Sequence, residues 1–182
     1  MKFKNLAIGA LILSTLISGC DKKESIDSNA LSSSSQNQNF SFDLKTIDNK
    51  NIVIDVKNSK WQFAKMKNKS VLVVFFATWC PPCKAEIPHL LNLKKQFGDK
   101  FEVLAVLVEE NKKNEEITEF AKEHNINYPV ANSPENFVLA SAVGGVSTIP
   151  AMFLFDKNGN MVQKYEGMVP EEMLSTDIAK GL

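Results

Sequence analysis

Two cysteines separated by two prolines, in Trp79-Cys80-Pro81-Pro82-Cys83, are the residues of this 182-residue sequence best suited to chemistry. A thiolate rather than a thiol attacks a disulfide, so a reactive cysteine needs something that favours the anion. The positive end of a helix, with its unpaired N–H groups, is one such device. Cysteines three apart on a first helical turn can also close into a disulfide without large strain and open again. Cys80, expected to be the more exposed, would then be the nucleophile, and Cys83 the resolving thiol that releases a mixed disulfide. Pro81 suits the first position of a helix, but like Pro82 it removes an N–H that could have stabilised the thiolate.

The surrounding pattern supplies the required setting. Val71-Leu72-Val73-Val74-Phe75-Phe76-Ala77 is an unbroken apolar run, the signature of a strand buried on both faces of a sheet. Pro81–Phe97 has helical composition, with Gly98 as its stop and Pro88 expected to kink it. The same Cys-x-x-Cys could be a plain structural disulfide or half of a zinc site. Zinc needs further ligands, and only His89 and His124 are available as histidines, with no second cysteine pair. A strand before and a helix after weigh against a purely structural bridge without removing it. Dithiol chemistry calls for no cofactor and no metal.

Downstream, Thr148-Ile149-Pro150 precedes the apolar run Ala151–Phe155. A proline opening a strand fits an edge position or a cis bond. A cis proline beside the thiols would leave the Ile149 backbone free to pair with an extended substrate chain. The bland alternative is an ordinary turn.

Charge is balanced at 21 basic and 21 acidic residues, so no electrostatic argument for nucleic acid exists. Every basic residue is lysine, which disfavours bidentate anion clamps. At the N-terminus, Lys2 and Lys4 precede a 12-residue apolar stretch, Leu6–Ile17, shorter than the roughly 20 residues that span a bilayer. It leads into Ile17-Ser18-Gly19-Cys20, which resembles a bacterial lipoprotein signal with Cys20 as the lipidated residue. An ordinary secretory peptide is the alternative. Residues 1–19 are thus expected to be a signal peptide and residues 20–39 a lipidated end and polar spacer. A coil of that length reaches roughly 25 Å. Cys80 and Cys83 then remain as the cycling pair, in an exported setting where disulfides persist.

Residues 40–182 are expected to form the folded domain. Phe40, Phe42 and Leu44 alternate, and Ile52, Val53, Ile54 and Val56 follow a polar turn, suggesting a β-hairpin. Trp61–Lys69 reads as a turn or short helix. Strand 101–108, helices 115–123 and 134–142, a hairpin over 151–155 and 161–165, and a helix over 170–180 complete the order. That order implies an α/β fold with a mixed sheet flanked by helices.

These residues resemble the thioredoxin superfamily, and within it the TlpA/ResA-like membrane-anchored thiol–disulfide oxidoreductases. The resemblance rests on Val73 through Pro88, on Gly145-Val146-Ser147-Thr148-Ile149-Pro150, and on Phe153-Leu154-Phe155-Asp156 with Gly159. It implies a thioredoxin fold with an N-terminal β-hairpin extension, a redox pair at Cys80 and Cys83, and a cis Pro150. It also implies a substrate surface of Trp79, Pro81, Pro82, Thr148 and Ile149. Thioredoxins proper carry a buried acid where this chain has Val74, whereas the family has a glutamate where Glu86 stands. Glu86 is therefore a candidate proton acceptor for Cys83, with a solvated helix carboxylate as the alternative. Glu109, Glu110 and His89 are read as surface groups, although Glu110 could approach the site. The family usually has Thr after the cis proline, where this chain has Ala151.

The resemblance implies an extracytoplasmic reductase of protein disulfides, such as those of apocytochrome c, anchored by lipid at the bacterial cell envelope. A membrane electron donor of the DsbD/CcdA kind would regenerate it. The alternatives are a disulfide-forming oxidant or isomerase, a peroxiredoxin-like peroxidase, and a non-enzymatic lipoprotein binding module.

Overall fold

The computed structural model describes residues 39–182. The expected signal peptide, Cys20 and nearly all of the expected spacer lie outside the described residues. The folded part follows the order expected from the sequence, with two additional strands.

β1 (Phe40–Lys45) and β2 (Asn51–Lys57) pair antiparallel, as expected of a hairpin. Residues 61–69, expected as a turn or short helix, instead contribute β3 (Lys60–Phe63), which pairs antiparallel with β2. Only Asn58 and Ser59 connect them, with φ of 52° and 62°. Two consecutive positive-φ residues are the I′ geometry whose twist matches that of a hairpin. The extension is thus a three-stranded meander rather than a two-stranded hairpin.

The central sheet has five strands, in the order β6 (Val130–Ala131), β5 (Phe101–Leu107), β4 (Ser70–Phe76), β7 (Ala151–Phe155) and β8 (Met161–Glu166). β4 lies parallel to β5, which lies parallel to the two-residue β6. On the other side β4 pairs antiparallel with β7, and β7 with β8.

Two apolar layers cover this sheet. Leu72, Val74 and Phe76 of β4 pack with Leu90 and Leu93 of α1 (Pro81–Phe97), Ile117 of α2 (Asn114–Glu123), and Leu174 and Ile178 of α4 (Glu171–Gly181). Val71, Val73 and Phe75 point the other way, into a layer made with the β1–β3 meander and Leu139 of α3 (Glu135–Ala142). Hence every residue of β4 is buried, which accounts for its apolar run without polar alternation. α1 continues through Pro88 and stops at Gly98, whose φ is 52° and whose N–H bonds back to Lys94. No helix among the described residues is long and apolar enough to cross a membrane.

Candidate active site

The C-terminal end of β4 delivers the chain to Ala77-Thr78-Trp79, and α1 starts immediately after Cys80. Cys80 is the N-cap of α1, in extended conformation at φ −84° and ψ 108°. Pro81 and Pro82 carry no N–H, so the amide of Cys83 is the first backbone donor of the helix interior. It donates to Cys80 Sγ at 3.2 Å, the bond that a Ser or Asp oxygen makes at an ordinary N-cap. The two prolines therefore leave the helix terminus aimed at one sulfur through one amide.

Cys80 and Cys83 are joined in a disulfide, with Cα atoms 5.3 Å apart. Both are buried, at 2% and 4% exposure, so the expected greater exposure of Cys80 is not found in the oxidised protein. The Cys83 amide and the Ile149 carbonyl, 3.7 Å from Cys80 Sγ, cover that sulfur. With no proton on a disulfide sulfur, the second approach is a contact rather than a hydrogen bond. The Ile149–Pro150 peptide is cis. Trp79, at 65% exposure, and Pro81 flank the pair on the surface, Pro82 is half-buried, and Thr148 is exposed beside Ile149. A shallow groove lined by Val108, Phe137, Ala140, Val146, Thr148 and Ile149 opens next to this contact.

Below the thiols the surroundings change. Val74, Phe76, Ile87, Ile126 and Tyr128 line a small cavity against Cys83. Burial pushes the Tyr128 phenol well above its ordinary range, with the Glu86 charge adding to the effect. Glu86 lies three residues after Cys83 on α1 and is wholly buried, which rules out the solvated-carboxylate alternative. Its Oε2 receives one long bond from the Val169 amide at 3.4 Å, and Oε1 has no partner among the described residues. Burial raises the Glu86 carboxyl above its ordinary value, opposed by the Val169 amide and by His89, and reinforced by Glu171. The buried acid of this region is thus carried by α1, while β4 presents Val74.

Two surface assignments need correction. His89 turns its Nδ1 inward, 3.8 Å from Glu86 Oε1, while its side chain is 34% exposed. Glu109 Oε2 accepts from both the Thr78 amide, at 2.9 Å, and the Thr78 hydroxyl, at 2.7 Å. The register explains this second case: β4 and β5 pair Phe76 with Leu107, so two residues further on Thr78 meets Glu109. That alignment of strand ends was the available signal. Glu110 is exposed. Tyr128 had no signal in the sequence, because its place depends on the two-residue β6.

A family model described as Redoxin matches residues 32–181. The thiol-disulfide oxidoreductase ResA of Bacillus thuringiensis is 28% identical over 71% of this chain and 73% of its own length. That of Bacillus subtilis is 32% identical over 68% of this chain and 67% of its own. Among solved structures, a thiol:disulfide interchange protein of the thioredoxin family from Chlorobium tepidum is similar at a TM-score of 0.61. Its identity is 28%, covering 78% of this chain and 92% of that one.

Proposed function

This chain belongs to the redoxin family and is a thiol–disulfide oxidoreductase; on that premise we propose that Cys80 and Cys83 are its working pair and that it reduces protein disulfides. The observation that carries this is the position of Cys80 Sγ. It receives the first interior amide of α1 on one side and meets the carbonyl before the cis proline on the other. A substrate chain laid along Ile149 would bring its own sulfur to that point.

In the reductive direction the Cys80 thiolate attacks a target disulfide. One target sulfur leaves as a thiolate and takes a proton, and the other stays bound to Cys80. Cys83 then loses its proton to Glu86 and attacks Cys80 Sγ. The target's second sulfur leaves as a thiolate and takes a proton from water; the dithiol has given two electrons to the target and become the Cys80–Cys83 disulfide. Trp79, Pro81, Pro82, Thr148 and Ile149 form the surface on which the target lies. A membrane dithiol donor of the DsbD/CcdA kind resets the pair.

The reductant assignment is supported by likeness to the ResA oxidoreductases and by the shortness of α2 and α3, at 10 and 8 residues. Oxidants of the DsbA kind carry a large helical insertion, and none is present among the described residues. In this reading the chain is exported and lipidated at Cys20, with a lipidated end and spacer over 20–39 and a domain over 40–182, and the site works outside the cytosol. The support for this is the Lys2/Lys4 start and Ile17-Ser18-Gly19-Cys20. Apocytochrome c awaiting haem is a candidate target there.

A Cys83→Ala variant tests the pair. Lacking the resolving thiol, it should accumulate mixed disulfides through Cys80 that vanish on reduction. Capture of nothing, alongside failure of the wild type to reduce insulin, would contradict the reading. A reduction potential well below about −200 mV favours the reductant and one near −120 mV the oxidant.

A further inference from the structure

The mechanism deposits a proton on Glu86, a carboxyl with no exposed surface. Each turnover must also remove that proton, and most groups facing Glu86 offer no path. The Val169 amide only donates. Tyr128 presents a phenol whose ionisation is disfavoured by its burial. Glu171, in the first turn of α4, accepts from the Asn92 amide at 3.0 Å and makes no hydrogen bond with Glu86 among the described residues. That leaves His89.

Its geometry is unusual for a histidine that merely packs. Glu86 Oε1 and His89 Nδ1 are both buried polar atoms with no hydrogen-bond partner among the described residues, and they face one another at 3.8 Å. An orphaned buried polar atom calls for an explanation, and here two orphans lie opposite each other. They sit three residues apart on one helix face, where a small rotation of the carboxylate brings them into hydrogen-bond range. The histidine is also one-third exposed, so one part of the ring meets Glu86 while another meets solvent. An imidazole with one donor and one acceptor nitrogen can take a proton on one and release a proton from the other.

We propose that His89 is a positioning residue that carries protons between the buried Glu86 carboxyl and solvent, making Cys83, Glu86 and His89 a relay for the resolving step. The proposal rests on the reading of Glu86 as the acceptor for Cys83. The proton leaves Cys83 Sγ as its bond to Cys80 Sγ forms, resides on Glu86, passes to His89 Nδ1, and a proton leaves the outward nitrogen to water. In reverse, the same path delivers the proton when the disulfide is reduced.

The reduced full chain mixed with the aromatic disulfide of nitrothiobenzoate releases the chromophore twice. The first release reports attack by Cys80 and the second reports resolution by Cys83. His89→Ala is expected to slow the second release about tenfold, a modest share of an acid–base contribution. It should also change its pH profile and regain speed when imidazole is added, with the first release as the internal control. His89→Gln serves if the alanine variant fails to fold. A second release of unchanged rate and pH profile, or a slow one that imidazole does not restore, overturns the relay. Glu86→Gln separates the two claims. If it leaves the second release unchanged, the acceptor reading falls and the relay with it. If it slows that release while His89→Ala does not, the relay alone falls.

Discussion

The two ends of this domain handle buried groups in opposite ways. Around β3, contacts are saturated. The Trp61 ring stacks on Phe42 at 6.0 Å and 6° and meets Phe155 at 5.1 Å, while Phe63 meets Phe155 edge-on at 5.2 Å. The Trp61 amide donates to the Gly159 carbonyl at 2.8 Å. A Cβ at Gly159 would lie 2.2 Å from the Trp61 carbonyl oxygen, and φ there is +79°, so the turn needs glycine twice over. Around Cys80, by contrast, two prolines remove backbone donors, a carboxyl is sealed from water, and two polar atoms face each other unbonded. One end supplies stability, and the other holds groups that cost stability and that the proposed mechanism uses.

Substitutions at the two ends should therefore separate stability from activity. Trp61→Ala removes the centre of the aromatic cluster and should cost about 3–5 kcal/mol. Chemical denaturation would measure that loss, while thiol exchange by the folded fraction stays unchanged; a fall in its rate constant would break the division. At the boundary, Thr78→Val deletes one of two bonds to the half-buried Glu109 and should cost about 1–2 kcal/mol. Because Thr78 is two residues from Cys80, this variant should also slow the first attack, which a stopped-flow assay can read.

Glu86→Gln should do the reverse and stabilise by about 1 kcal/mol at neutral pH, seen as a rise in Tm of a few degrees. Burial raises the Glu86 carboxyl above its ordinary value of 4.5, so the folded state binds this proton more tightly than the unfolded state. Its contribution is complete below the ordinary value and is lost as pH rises through the raised folded-state value. The wild type should thus lose stability across that window, and the Gln variant should not. A parallel pH dependence in both would show that Glu86 lacks the role its burial assigns to it.

The half of the domain that holds Cys80 and Cys83 is more legible in the sequence than its supports. β4 and α1 were readable because apolar runs, prolines and a stop glycine are local signals, and the cysteines lie at their junction. β3 was not, because Lys60-Trp61-Gln62-Phe63 is short and its turn, Asn58-Ser59, lacks the usual glycine. β6 is two residues long and exists only through pairing with β5. Glu109 and His89 looked like surface groups because charge and polarity are judged residue by residue, whereas strand register and helix packing decide what they face. Glu86 was visible only through resemblance, and its complete burial is a property of the packed α1–α4 interface.

The most direct test of the working pair follows the thiols themselves. The reduced full chain is mixed with a disulfide-bearing protein, quenched in acid, alkylated, and read by peptide mass. Cys80 and Cys83 should become protected together, in step with the appearance of two alkylated thiols on the target for each chain consumed. Target reduction with Cys80 and Cys83 still alkylated, or a pair that oxidises while no target thiol appears, would contradict the account.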